Sequence, residues 1–248
     1  MRYRFLLALL AFVPLPAWAA AAVADYSQCA ALVQNNPALA EESARAWQNE
    51  GGGAAAIYCS ALALTALGRY AEAARKLDVL ARDKSIGSNL DRAELFDQAG
   101  NAWMFAGLAN NAEQSFSAAL NQSPNNVDFF ADRAGARAMR KDWAGADADL
   151  GAALLRDQNR ADLLVLRASA RWALGRKTDA ATDILRALQL YPNYPAALVE
   201  RGRMKYEAGD RNGARADWKR AADSGTGETA AAARRYLAEM GPESKAGQ

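Results

Sequence analysis

Few residues in this sequence could do chemistry. The chain of 248 residues contains no histidine. That removes the commonest general base and the commonest metal ligand. Its two thiols are Cys29 and Cys59, and no C-x-x-C spacing supports thiol–disulfide catalysis. An even pair suits one disulfide in an exported protein; two buried free thiols or a reactive pair are the alternatives. The most regular charged residues are Arg133, Arg167 and Arg201, and each is followed sixteen positions later by an aspartate, Asp149, Asp183 and Asp217. Arginine and aspartate come and go together along the chain.

The elements that must position these residues repeat. Leu164-Val-Leu-Arg-Ala-Ser-Ala-Arg-Trp-Ala-Leu-Gly175 aligns with Leu198-Val-Glu-Arg-Gly-Arg-Met-Lys-Tyr-Glu-Ala-Gly209. Downstream, Ala180 falls on Ala214, Ile184 on Trp218 and Ala187 on Ala221, each thirty-four positions apart. Such a period marks supersecondary units that bury their apolar faces only by stacking. The pattern predicts an N-terminal helical hairpin over 25–53, five helix pairs over 54–223, a capping helix over 228–240 and a frayed tail over 241–248. Between Gly68 and Gly107 the register slips by five residues.

The N-terminus reads as a secretory signal peptide over 1–22. Arg2 and Arg4 precede the apolar run Phe5–Val13, and Ala17-Trp18-Ala19 offers small residues for cleavage. The run is shorter than the roughly 20 residues a bilayer span needs, so no span is expected once the signal is removed. With Arg2 and Arg4 set aside, the 30 basic residues fall by two and match the 28 acidic ones. A near-neutral chain carries no footprint for nucleic acid or an anionic membrane.

These residues resemble the tetratricopeptide-repeat family. Phe96, Ala99-Gly100, Trp103, Ala112, Phe116, Ala119 and Pro124 fall on its pattern in one unit, and Leu164, Ala168, Ala180, Ile184, Ala187 and Pro192 in another. Gln158 and Thr226 stand where the family has proline. The resemblance implies an all-α, right-handed superhelical solenoid of antiparallel helix pairs, with an N-terminal half-repeat and a C-terminal cap. The arginines depart from the family, which prefers leucine there, and their co-occurrence with the aspartates reads as ion pairs Arg133–Asp149, Arg167–Asp183 and Arg201–Asp217 between the two helices of a unit, with a basic ladder for a ligand as the alternative. With the first half-unit aligned through Trp47, Cys29 and Cys59 take equivalent positions on neighbouring helices, within reach of a disulfide.

The family's groove positions fall on Glu94, Asp97, Asn101, Asp128, Asp162, Trp172, Arg203 and Tyr206, among others. The early part of that groove is acidic and the late part aromatic. A protein segment with basic and apolar groups would suit this lining. Alternatively, Trp172 and Tyr206 merely pack between neighbouring helices. Asn101 and Arg203 alone approach the clamp that holds acidic C-terminal tails, and they lie three units apart.

The expected function is therefore a non-catalytic periplasmic scaffold, without cofactor or metal, that binds a peptide or helix of another cell-envelope or secreted protein. One alternative is a structural, oligomerising module of an envelope assembly. A remote one is a peptidoglycan-acting lytic enzyme. Glu42-Ser43 would supply its acid, but the motifs that should follow are missing.

Overall fold

The computed structural model describes residues 25–85 and 89–241, without the side chains of Asn89 and Leu90. The expected signal peptide and the tail beyond Gly241 lie outside the described residues. Among those residues are thirteen helices and no strand. None of these helices is long and apolar enough to cross a membrane.

The chain divides into two units, with the boundary after Gly68. The first contains α1 (Tyr26–Asn35), α2 (Pro37–Asn49) and α3 (Gly53–Ala66), each packed on the other two. Asp25 caps α1 by accepting from Gln28 N–H. Asn36 ends α1 and caps α2 through Leu39 N–H, with Pro37 at the first helical position. One core cluster consists of buried Cys29, Ala44 and Cys59, with Leu32, Val33 and Trp47 packed on them, and Ala40, Ala56, Ala61, Ala63 and Leu64 are buried as well. A disulfide joins Cys29 to Cys59, with Cα atoms 5.9 Å apart across 30 residues of sequence. Closing a loop of that size stabilises a fold by about 3–4 kcal/mol.

The second unit is a solenoid. It runs α4 (Tyr70–Arg82), α5 (Asn89–Phe105), α6 (Ala109–Gln122), α7 (Val127–Met139), α8 (Trp143–Arg156), α9 (Ala161–Ala173), α10 (Lys177–Leu190), α11 (Pro195–Glu207), α12 (Arg211–Ser224) and α13 (Gly227–Met240). Each helix packs on its neighbours in sequence, and α5 also meets α7, and α9 meets α11, side by side. The sequence pattern pairs α3 with α4 in one repeat. The boundary falls between them: α3 packs on α1 and α2, and α4 packs on α5.

Close packing within each pair is set by a matched choice of residues. Phe116, Leu150, Ile184 and Trp218 occupy one repeat position, and Gly100, Ala134, Ala168 and Gly202 another. Both sets are buried. Glycine stands opposite the aromatic rings and alanine opposite the aliphatic chains. A Cβ on Gly100 would lie 2.4 Å from the Phe116 ring, and one on Gly202 2.4 Å from the Trp218 indole. The second helix of most pairs starts after a left-handed residue: Gly107, Gly175 and Gly209 have φ near +75° to +87°. In the α7–α8 pair Lys141 takes this position at φ 62°, where a side chain costs about 1 kcal/mol.

Four aspartates are buried among these helices, and three of them, Asp149, Asp183 and Asp217, are paired with an arginine on another helix. Arg133 Nε and Nη2 donate to the two oxygens of Asp149 at 2.9 and 2.7 Å. Arg167 does the same to Asp183 at 3.0 and 2.7 Å, and Arg201 to Asp217 at 2.8 and 2.6 Å. Each aspartate has a second cation, one helical turn further along: Arg137, Arg171 or Lys205, at 2.8–2.9 Å. Arg137 also reaches Glu113, and Arg171 reaches Asp147, on the preceding pair's second helix. The pairs thus become a ladder linking successive units. In the α5–α6 pair, arginine and aspartate are both missing. There the buried Asp78 of α4 accepts instead from Trp103 Nε1 at 2.9 Å and Ser115 Oγ at 2.8 Å.

Candidate functional site

The face shared by α5, α7, α9 and α11 carries the expected groove residues, and its register follows from the lateral packing. A residue on one of these helices meets residues thirty-one and thirty-five positions later on the next. Trp172 touches Arg203 and Glu207 in this way, and Met104 lies across from Gly135. Stripes of side chains spaced by three or four residues therefore line up across the face.

At one end the stripes are acidic. Asp97 on α5 and Asp132 on α7 share a hydrogen bond. Burial is the main cause that pushes the Asp97 carboxyl up to about 8, followed by the charge of Asp132 and then that of Asp128. Asn101 Nδ2 donates to Asp97 Oδ2 at 3.1 Å, which opposes the rise. Burial also raises Asp132, against the pull of Arg160. The pair therefore holds one proton near neutral pH, because two such carboxylates at close range do not both ionise. Oδ1 of Asp97 is buried and receives no hydrogen bond. Beside the pair, Arg160 bridges Asp128 and Asp162 at 2.8 Å each, and its hydrogen bonds hold the Asp162 carboxyl below the usual range. Glu94 is exposed on α5.

In the middle the face is apolar. A cavity of about 90 Å³ lies between α7, α8 and α9, lined by Gly135, Ala138, Leu166 and Ser169, among others. Nothing crowds Gly135: a Cβ there would meet only Met104 Cε, at 3.9 Å. Phe105 and Met139, at the ends of their helices, are 71% and 49% exposed.

At the other end the two aromatic candidates are engaged within the fold. Trp172 lies between Lys177 Nζ at 4.9 Å and Arg203 at 5.1 Å. Its Nε1 donates to Glu207 at 3.2 Å. Arg203 is further held by Glu200 and Glu207. Tyr206 packs against Trp218 at 5.7 Å, with Arg211 over its ring. Both rings thus pack on neighbouring groups while keeping accessible surface: Trp172 is half-buried and Tyr206 is 39% exposed.

The structure brings Asp97, Asn101, Asp128 and Asp162 to one end of the face, and Trp172 and Arg203 together at the other. Sequence reasoning missed Asp132, which lies next to the groove position Ala131. Its thirty-five-residue spacing from Asp97 is the lateral spacing that also joins Trp172 to Glu207, and that was the available signal. Glu42 is exposed on α2. Among the described residues no group of carboxylates and thiols has the arrangement of a metal site.

No protein-family model matches the chain, and no curated protein matches it in sequence. Solved structures do. A MamA structure from Desulfovibrio magneticus RS-1 superposes with a TM-score of 0.59 at 19% identity, over 68% of this chain and 93% of that one. YrrB, a TPR protein with an unusual peptide-binding site, superposes with a TM-score of 0.55 at 17% identity, over 78% of this chain and 97% of that one. With helix pairs stacked in series and these likenesses, the chain has the tetratricopeptide-repeat fold.

Proposed function

We propose that this protein is a non-catalytic scaffold of the bacterial cell envelope, which holds a segment of another protein against the face of α5, α7 and α9. The observation that carries the reading is the cavity at Gly135: an unfilled apolar site, set between helices that do not collapse onto it, with exposed Phe105 and Met139 nearby. YrrB, which shares the fold, has a peptide-binding site. The lack of histidine supports a binding role over a catalytic one. Export is supported by the N-terminal sequence and by the Cys29–Cys59 disulfide, which persists in an oxidising compartment.

The test is a photoreactive residue at Met139, crosslinked in cells and read by mass spectrometry, with and without Gly135→Phe. The new side chain has room at its Cβ, so the helix stays folded while the cavity fills. A dominant envelope partner that disappears with Gly135→Phe supports the reading. Crosslinks that ignore the substitution, or that join only copies of this chain, overturn it.

A second reading, an oligomerising module, has its own observation. A cleft of about 540 Å³ runs between α8 and α10, flanked by Leu155 (79% exposed) and Leu185 (53%). Sedimentation that is independent of concentration removes that reading.

A further inference from the structure

The three helices of the first unit are not equally embedded. Among the residues of α1, Cys29 alone is buried. Leu32 and Val33 are half-buried against the cluster around it. Tyr26, 47% exposed, stacks on Tyr58 of α3 at 5.9 Å. The other buried apolar side chains of the unit belong to its partners: Ala40 and Ala44 on α2, and Ala56, Ala61, Ala63 and Leu64 on α3. We propose that the Cys29–Cys59 bond is a redox latch. It holds α1 against the α2–α3 hairpin, and its reduction frees α1 while α2 and α3 stay paired.

The bond supplies what α1 lacks by itself. A helix of ten residues is marginal in water, and one buried side chain with two half-buried ones gives it little apolar contact. Its direct link to α2 is a single residue, Asn36, whose side chain accepts from Leu39 N–H and so belongs to the start of α2. Turning the backbone at Asn36 therefore moves α1 without unwinding α2. The disulfide is a second tie, from α1 to α3, and it keeps the helix beside its seat whenever it frays.

Both cysteines are wholly buried, so a reductant reaches the bond as α1 lifts. The step is then a thiol–disulfide exchange with a dithiol. The dithiol gives two electrons and two protons, the Sγ–Sγ bond breaks, Cys29 and Cys59 become thiols, and the dithiol leaves as its own disulfide. Once free, α1 uncovers Ala44, Cys59 and Trp47. The open form thus shows an apolar patch and a reactive thiol that the closed form hides.

The experiment is hydrogen exchange on the full chain, read peptide by peptide by mass spectrometry, in three forms. One is oxidised. One is reduced with dithiothreitol in denaturant and returned to buffer under reductant. One is the double variant Cys29→Ala, Cys59→Ala. Peptides from α9 and α10, which hold no cysteine, serve as the reference. In the reduced and variant forms, the amides of α1 are expected to exchange at least about a hundredfold faster than in the oxidised form. Those of α2 and α3 should keep their protection. In the reduced form, iodoacetamide should label Cys59 at about the rate of a free cysteine peptide. Equal protection of α1 in all three forms overturns the proposal, because α1 then holds itself. Loss of protection across α1, α2 and α3 together also overturns it, because the unit then opens as one body. A change in the variant alone traces to lost sulfur packing rather than to the bond, and overturns it too.

Discussion

Asp217 and Asp97 are both carboxylates drawn in among the helices of one stack, and their surroundings are opposite. Asp217 is 2% exposed. Burial works against its charge, yet hydrogen bonds from Arg201 and Lys205 hold its carboxyl below the ordinary range. Asp97 is less deeply buried but has another carboxyl for a neighbour, and it is raised to about 8. Burial raises both carboxyls; the cations beside Asp217 outweigh it, whereas the second carboxyl beside Asp97 adds to it. A carboxylate that the fold has satisfied serves architecture. One that the fold has left paired with its like is available to something else.

The comparison breaks most visibly if Asp217 is removed. Asp217→Ala leaves Arg201 and Lys205 facing an empty, partly buried site, and should cost about 3–5 kcal/mol in urea unfolding. Replacing both partners, Arg201→Met with Asp217→Leu, should recover most of that loss, because the isolated charge goes with them. A double variant as unstable as the single one would mean that the ladder specifies more than electrostatics.

The pH dependence should sharpen the contrast, because the signs differ. Asp217 is depressed in the folded state, so its stabilisation is present above about pH 4 and is lost as pH falls. Asp97 is raised, so the folded state binds the extra proton. Stability should then decline as pH climbs from about 4 towards 8, with a slope of at most about 1.4 kcal/mol per pH unit. Asp97→Asn should flatten that decline while leaving the acid limb intact. An unchanged slope between pH 5 and 9 would mean that Asp97 and Asp132 are solvated separately.

The smallest effect is expected where charges meet in water. Arg69 and Glu72 pair at 2.6 Å on α4, with side chains 45% and 44% exposed. Glu72→Gln should change the unfolding free energy by no more than a few tenths of a kcal/mol. A larger loss would remove the distinction drawn here between buried and surface pairs.

The helices were legible in the sequence because their signals are local. The thirty-four-residue period repeats the helical stretches and the glycine breaks, and Gly107, Gly175 and Gly209 do take positive φ after a helix. Arg133 and Asp149 were legible as a pair because they vanish together in the α5–α6 unit, as do their equivalents. Lateral partners were not legible. The period relates equivalent positions, whereas contact across the face joins positions thirty-one or thirty-five apart. Asp132 therefore escaped notice, and the period left Trp172 open between a groove anchor and a packed ring, although Arg203, Lys177 and Glu207 lie around it. The boundary after Gly68 was hidden for a similar reason. The glycine that ends a helix inside a repeat also ends one between two units.

The matched sizes across each helix pair limit how this array can be rearranged by recombination. Trp218 needs glycine at position 202, and Ile184 is served by alanine at 168. Exchanging α9 for α11 by itself would set an alanine Cβ into the Trp218 indole, while the reciprocal exchange would leave a gap beside Ile184. Duplication or shuffling that moves whole pairs keeps each ring with its glycine. The heritable module of this chain is therefore the pair of helices, with the joints between pairs as the places where pieces can be exchanged, gained or lost.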